Sequence, residues 1–319
     1  MSPDPLAARL TAVAGPLFFP VTAYDASGSV DLDAFRAHVR RGVDAGAAAV
    51  FACCGTGEFH ALTPEEFRSV VAAAVEETAG RVPVVAGTGY GTALAVRFAR
   101  LAEEAGADGL LAMPPYLVHA DQAGLLAHYT ELAGATGLET IVYQRDNAVF
   151  TPETVLALAR TPGVIGLKDG YGDLDLMQRI VSAVRTGLPG RDFLYFNGLP
   201  TAELTGPAYR GIGVSLYSSA VFAFAPDIAL AFYRALDSGD RPLVDGLLDT
   251  FYRPLVELRA KGRGYAVSLV KAGVRLEGLD VGPVRSPLTE PTPEHIEELT
   301  GIVAAGRALL ERHGARGHG

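Results

Sequence analysis

The chain has 319 residues, 49% of them hydrophobic, and 27 Lys plus Arg against 36 Asp plus Glu give a formal net charge of -9. That is enough chain for one large core, and an α/β barrel of roughly 250 residues is a routine single domain. With no Lys/Arg-rich run a nucleic-acid partner is excluded, and with no apolar run near the roughly 18 residues of a membrane helix a spanning segment is excluded too.

The opening MSPDPLAARL lacks the basic start and apolar stretch of an export signal, so a cytoplasmic protein without membrane contact is expected. From residue 15 onward, short apolar or β-branched runs alternate with longer segments of helical period, as in parallel α/β architecture. The predicted strands are 15–24, 47–55, 82–89, 108–115, 139–144, 163–169, 192–198 and 211–218. Amphipathic segments such as 31–46 and 63–80 lie between them, the second opening on Thr63, Pro64 and Glu66 in a capping-box pattern. Eight such units predict a closed (β/α)₈ TIM barrel. The expected catalytic barrel covers 1–239. Residues 240–319 read as a C-terminal helical extension packed on it, serving oligomerisation and shielding of the site, with the final ARGHG frayed. Cys53 and Cys54 are adjacent in an apolar run, a poor geometry for a disulfide.

In this fold the chemistry lies at the C-terminal ends of the strands. The sixth predicted strand ends in Lys168, where burial would favour the free amine that attacks a ketone. A lysine snorkelling to solvent or paired with Asp169 is the alternative. The fifth strand places Tyr143 beside it, either as a proton shuttle or as a buried phenol bonded to a backbone carbonyl. After the second strand, Gly55, Thr56 and Gly57 form a small-residue turn able to aim backbone N–H groups at a carboxylate, with Glu58 capping or anchoring it. GTGYGT (87–92) matches a dinucleotide loop only loosely and lacks the acidic ribose partner about 20 residues on, so no nicotinamide cofactor is expected. The histidines are scattered without an HExxH cluster, so no metal is expected either.

At GTGE (55–58), PPY (114–116), the VY strand end at Tyr143, GLKD ending the sixth strand and GPVRSPL (282–288), the sequence resembles the pyruvate-aldolase superfamily of dihydrodipicolinate synthase and N-acetylneuraminate lyase, over residues 14–310. It is most similar to the 5-dehydro-4-deoxyglucarate dehydratase branch at GTGEF, KDGYGD (168–173), NGLPTAE (197–203), YSSAVFAF (217–224) and GYAVSLVKAG (264–273). It departs from the synthases in having Gly55 before Thr56 where they have two threonines, and Leu117 in place of a second tyrosine. Ala148 stands at the synthases' substrate arginine, with Arg145 earlier in the loop. It departs from the dehydratase branch in having Gln144 where asparagine is expected.

The resemblance implies a Schiff-base lyase without cofactor, converting a sugar-acid substrate, 5-dehydro-4-deoxy-D-glucarate, to 2,5-dioxopentanoate, water and CO₂. The alternative is a class I pyruvate-type aldolase on a related 2-oxo-3-deoxy sugar acid. In this scheme Lys168 forms the imine and Tyr143 moves protons. Gly55, Thr56 and Gly57 bind the near carboxylate, and Asn197, Ser215, Ser218 and Ser219 are candidates for the hydroxyls and distal carboxylate. A homo-oligomer, dimer or tetramer, is also implied.

Overall fold

The computed structural model describes residues 5–316; residues 1–4 of the opening stretch and 317–319 of the tail expected to fray lie outside the described residues. Eight parallel strands close into one barrel in sequence order: β1 (Leu17–Phe18), β2 (Ala49–Ala52), β3 (Val84–Thr88), β4 (Gly109–Ala112), β5 (Glu139–Gln144), β6 (Val164–Asp169), β7 (Leu194–Asn197) and β8 (Leu216–Ser219). Each lies within or overlaps its predicted run. β1 is far shorter than 15–24 because Pro16 and Pro20 flank it and neither can donate to a ladder.

The chain begins with α1 (Leu6–Thr11), which the sequence did not announce, and its Leu6 and Leu10 plug the N-terminal end of the barrel. The outer layer is α2 (Leu32–Asp44), α3 (Pro64–Thr78), α4 (Thr92–Glu104), α5 (Gln122–Ala133), α6 (Pro152–Arg160), α7 (Leu174–Gly187), α8 (Gly206–Gly211) and α9 (Pro226–Ser238). The α3 start is as predicted: Thr63 Oγ1 accepts the Glu66 N–H at 3.2 Å, and Glu66 Oε2 accepts the Thr63 N–H at 2.9 Å. Such reciprocal caps contribute about 1 kcal/mol.

The C-terminal extension is helical, as expected. α10 (Arg241–Leu247) runs through a π turn (Leu248–Tyr252) into α11 (Arg253–Ala260), followed by α12 (Tyr265–Leu276) and α13 (Pro293–Arg316). Two apolar layers result. Phe19, Phe51, Val85, Leu111, Ile141 and Phe196 fill the barrel interior, with Phe19 stacked on Phe51 at 4.6 Å between centroids. A larger layer, including Phe18, Phe67, Phe98, Tyr129 and Phe232, packs between sheet and helices. Among the described residues no helix is long and apolar enough to cross a membrane.

Candidate active site

Side chains alternate between the two faces of a strand, so strand register decides what reaches the interior. Across β5 to β8, Tyr143, Lys168, Phe196 and Leu216 stand side by side, as do Gln144, Asp169, Asn197 and Tyr217. The first row faces the interior and the second faces the helices. A bulge sets this phase: Thr140 pairs with Val164 but Ile141 pairs with Gly166, leaving Ile165 as the extra residue.

Lys168 is 5% exposed, and its Nζ lies 3.9 Å from the centroid of the Tyr143 ring and 5.2 Å from that of Phe19. The pairing with Asp169 that the sequence left open does not form. That carboxylate sits behind the sheet and accepts from Gln144 Nε2 (2.8 Å), Tyr209 OH (2.5 Å) and the Tyr171 N–H (3.0 Å). The Tyr143 hydroxyl donates to the Gly198 carbonyl at 2.8 Å. A Cβ built on Gly198 would lie 2.6 Å from Lys168 Cγ and 2.9 Å from its Nζ, so the lysine occupies space that only glycine leaves.

These groups open into a cavity of about 230 Å³ at the C-terminal end of the barrel. Gly55, Thr56 and Ser218 are on its wall with Lys168 and Tyr143. Among the described residues no protein acceptor takes the N–H groups of Gly55, Thr56 or Gly57. Gly57 is behind the wall, its carbonyl held by Thr22 Oγ1 at 2.7 Å. Glu58 does anchor the turn: it accepts from Lys271 Nζ at 2.9 Å and from the Arg285 N–H at 2.9 Å, and both side chains of the ion pair are fully buried. The two cysteines are free and buried, and Cys54 borders the cavity. Burial pushes the Cys54 thiol up to about 12, which leaves it a neutral wall.

Besides Gly57, three of the expected contact residues do not line the cavity. Asn197 turns outward and orders the loop after β7, with Nδ2 donating to Ala202 O (2.9 Å) and Thr205 Oγ1 (2.8 Å). Ser219, one position past the inward Ser218, also faces away and donates to Glu203 Oε1 at 2.5 Å. Ser215 is exposed and precedes β8, at the opposite end of the barrel from the cavity. Gln144, the departure from the dehydratase branch, is likewise directed at Asp169 and the Phe150 N–H rather than at the cavity. GTGYGT is a packing motif: a Cβ on Gly87 would meet the Cys53 carbonyl oxygen at 2.2 Å.

The family landmarks now have places in this geometry, with GTGE forming the turn, Tyr143 and Lys168 the paired strand ends, and 264–288 the roof. The dihydrodipicolinate synthetase family matches residues 12–306. The chain belongs to this family. It is 82% identical, over the full length of both chains, to a probable 5-dehydro-4-deoxyglucarate dehydratase of Streptomyces griseus subsp. griseus. It is 76% identical to a probable 5-dehydro-4-deoxyglucarate dehydratase 1 of Streptomyces avermitilis, over 98% of this chain and 99% of that one. Among solved structures, dihydrodipicolinate synthase from Bacillus clausii superposes with a TM-score of 0.85 at 25% identity, covering 95% of this chain and all of that one.

Other wall residues of this dihydrodipicolinate synthetase family member were not predicted as contacts. Arg145 borders the cavity, held by a tight turn in which the Arg145 and Ala148 backbones exchange hydrogen bonds around Asp146 at φ +50°. Its position two residues after Tyr143 is the signal that could have found it. Gly264, Ala266, Val267 and Leu288 also close the cavity. GYAVSLVKAG and GPVRSPL marked those segments, but nothing local in them says that they reach the barrel mouth.

Proposed function

We propose that the chain is a Schiff-base lyase that dehydrates and decarboxylates 5-dehydro-4-deoxy-D-glucarate to 2,5-dioxopentanoate. The observation that carries the proposal is Lys168, sheltered in the barrel without its neighbour Asp169 as partner, against the Tyr143 ring and open to the cavity. The names of the 82% and 76% identical relatives support the choice of substrate.

The neutral amine of Lys168 adds to the ketone, and loss of water gives an iminium that acidifies the adjacent methylene. Removal of a methylene proton yields an enamine whose electrons expel hydroxide from the next carbon. Tyr143, with its hydroxyl at the Gly198 carbonyl, is the group assigned to move these protons. The conjugated iminium then takes up the electron pair released as the distal carboxylate leaves as CO₂. Protonation and hydrolysis release the aldehyde product and restore Lys168. One lysine thus serves both eliminations.

The near carboxylate is assigned to the free N–H groups of Gly55 and Thr56, with Gly57 behind them completing the turn, and the hydroxyls to Ser218. Arg145 replaces Asn197 and Ser219 as the group for the distal carboxylate, because it brings a cation to the wall of the cavity. The division into barrel (1–239) and extension (240–319) is one of chain order in this proposal, since residues after 240 complete the pocket. A cytoplasmic homo-oligomer is part of the same proposal. The exposed run Tyr116, Leu117 and Val118 supports it as apolar surface for a second copy, and light scattering on the purified protein tests it.

The test of function is to supply the purified protein with 5-dehydro-4-deoxyglucarate and measure CO₂ and pyruvate. One CO₂ per substrate without pyruvate is expected. Pyruvate without CO₂ would move the chain to the aldolases, and turnover surviving Lys168→Ala would overturn the mechanism.

A further inference from the structure

The turn that leaves N–H groups free for a carboxylate is bracketed by two non-glycine residues in left-handed backbone, Cys53 at φ +52° and Glu58 at φ +54°. Such conformations cost free energy and persist only where the surroundings over-determine them. The ladder does not do so here, because β2 ends at Ala52. What holds the Glu58 carboxylate is the C-terminal extension. Lys271 of α12 donates from Nζ to Glu58 Oε1 at 2.9 Å and to the Pro283 carbonyl at 2.7 Å, and stands 4.1 Å from the centroid of the Tyr24 ring. The Arg285 N–H donates to Glu58 Oε2, while its guanidinium carbon stands 4.3 Å from the centroid of the same Tyr24 ring and its N–H groups reach the Ala61 carbonyl and Glu66.

A charge pair with both side chains fully buried is a poor device for stability alone, since desolvation offsets much of its attraction. Its value lies in fixing geometry. We infer that Glu58 and Lys271 are positioning residues: their buried ion pair lets the C-terminal extension hold the Gly55–Thr56–Gly57 turn in its carboxylate-binding shape. This rests on the proposed use of that turn and of Lys168.

The experiment compares two carbonyl probes for borohydride trapping on Lys168: pyruvate, which carries a carboxylate, and propanal, which does not. Wild-type protein, Glu58→Gln, and the double variant Glu58→Gln/Lys271→Met are compared, with a thermal melt to establish that each is folded. The double variant leaves no unpaired buried charge, and Lys271→Arg, which keeps the charge but alters its reach, serves if neither folds. The expected result is a rise of about 10- to 100-fold in the pyruvate concentration for half-maximal trapping, the scale of losing a charge-assisted hydrogen bond. Trapping by propanal should be unchanged. Equal losses with both probes, or an undiminished preference for pyruvate, would overturn the inference. No adduct in wild type with either probe would overturn the reading of Lys168, and this inference with it.

Discussion

Gly198→Ala places one methyl group against the proposed nucleophile. The new Cβ would sit 2.6 Å from Lys168 Cγ, 2.9 Å from Nζ and 3.0 Å from the Asp169 carbonyl oxygen. Carbon atoms rest about 3.5 to 4.0 Å apart, so Cγ, which is not the free end of the side chain, must withdraw by about 1 Å. The Gly198 carbonyl also receives the Tyr143 hydroxyl, so a backbone shift instead would move the second group. A 1 Å misplacement in an active site costs on the order of 10²-fold in rate, while overpacking costs about 1 to 3 kcal/mol of stability. The variant should therefore remain folded at 25 °C with kcat/KM for CO₂ release lowered about 10²-fold. Its borohydride adduct, read by mass spectrometry, should form slowly. Wild-type kcat/KM in folded Gly198→Ala would refute the claim that this glycine makes room for the lysine.

Three other outcomes follow from the same geometry. Tyr143→Phe should lower kcat by roughly 10² to 10⁴, the range of general acid–base catalysis, and single-turnover measurements should locate the loss in proton transfer. Arg145→Leu should raise KM for the dianionic substrate about 10-fold or more while pyruvate trapping is unchanged; an unchanged KM would remove it from the distal-carboxylate role. Glu203 is fully buried, and burial, partly offset by the Ser219 hydrogen bond, raises its carboxyl from 4.5 to about 7, with Oε2 unpartnered. Well below pH 4.5 this acid is protonated in both states. As pH rises to 7 the unfolded chain releases the proton while the folded chain retains it, so this contribution to stability is lost, reaching about 3 kcal/mol above pH 7. Urea denaturation of wild type and Glu203→Gln should show the variant gaining on wild type by that order between pH 5 and 8, and a constant difference would refute it.

The barrel was legible because each of eight predicted runs carries enough apolar residues to be buried on both faces, and their number admits a closed sheet. That same property hid the inward face. A strand apolar on both sides has no alternation from which to read its phase, and the Ile165 bulge, marked in the sequence only by the neighbouring Gly166, shifts the phase of β6. Lys168 and Tyr143 could still be paired by their place at adjacent strand ends. Asn197 and Ser219 could not be told from Gly198 and Ser218, since each is one residue from the position that faces the cavity.

The same argument says which polar strand-end residues belong to the fold. Asp169, Gln144 and Asn197 belong to the outward row, and each is hydrogen-bonded to a neighbour in the row, to α8 or to the segment that follows its strand. Buried polar groups so completely engaged are expensive to withdraw, so they fix loop trajectories rather than respond to a ligand. Lys168 and the Gly55–Thr56–Gly57 turn have the opposite character: an amine without its neighbouring carboxylate, and N–H groups without protein acceptors. Polar groups without protein partners at a cavity wall are met by water or by what enters the cavity. On the proposed reading they meet a carbonyl beside a carboxylate, the chemical unit that a 2-oxo acid supplies.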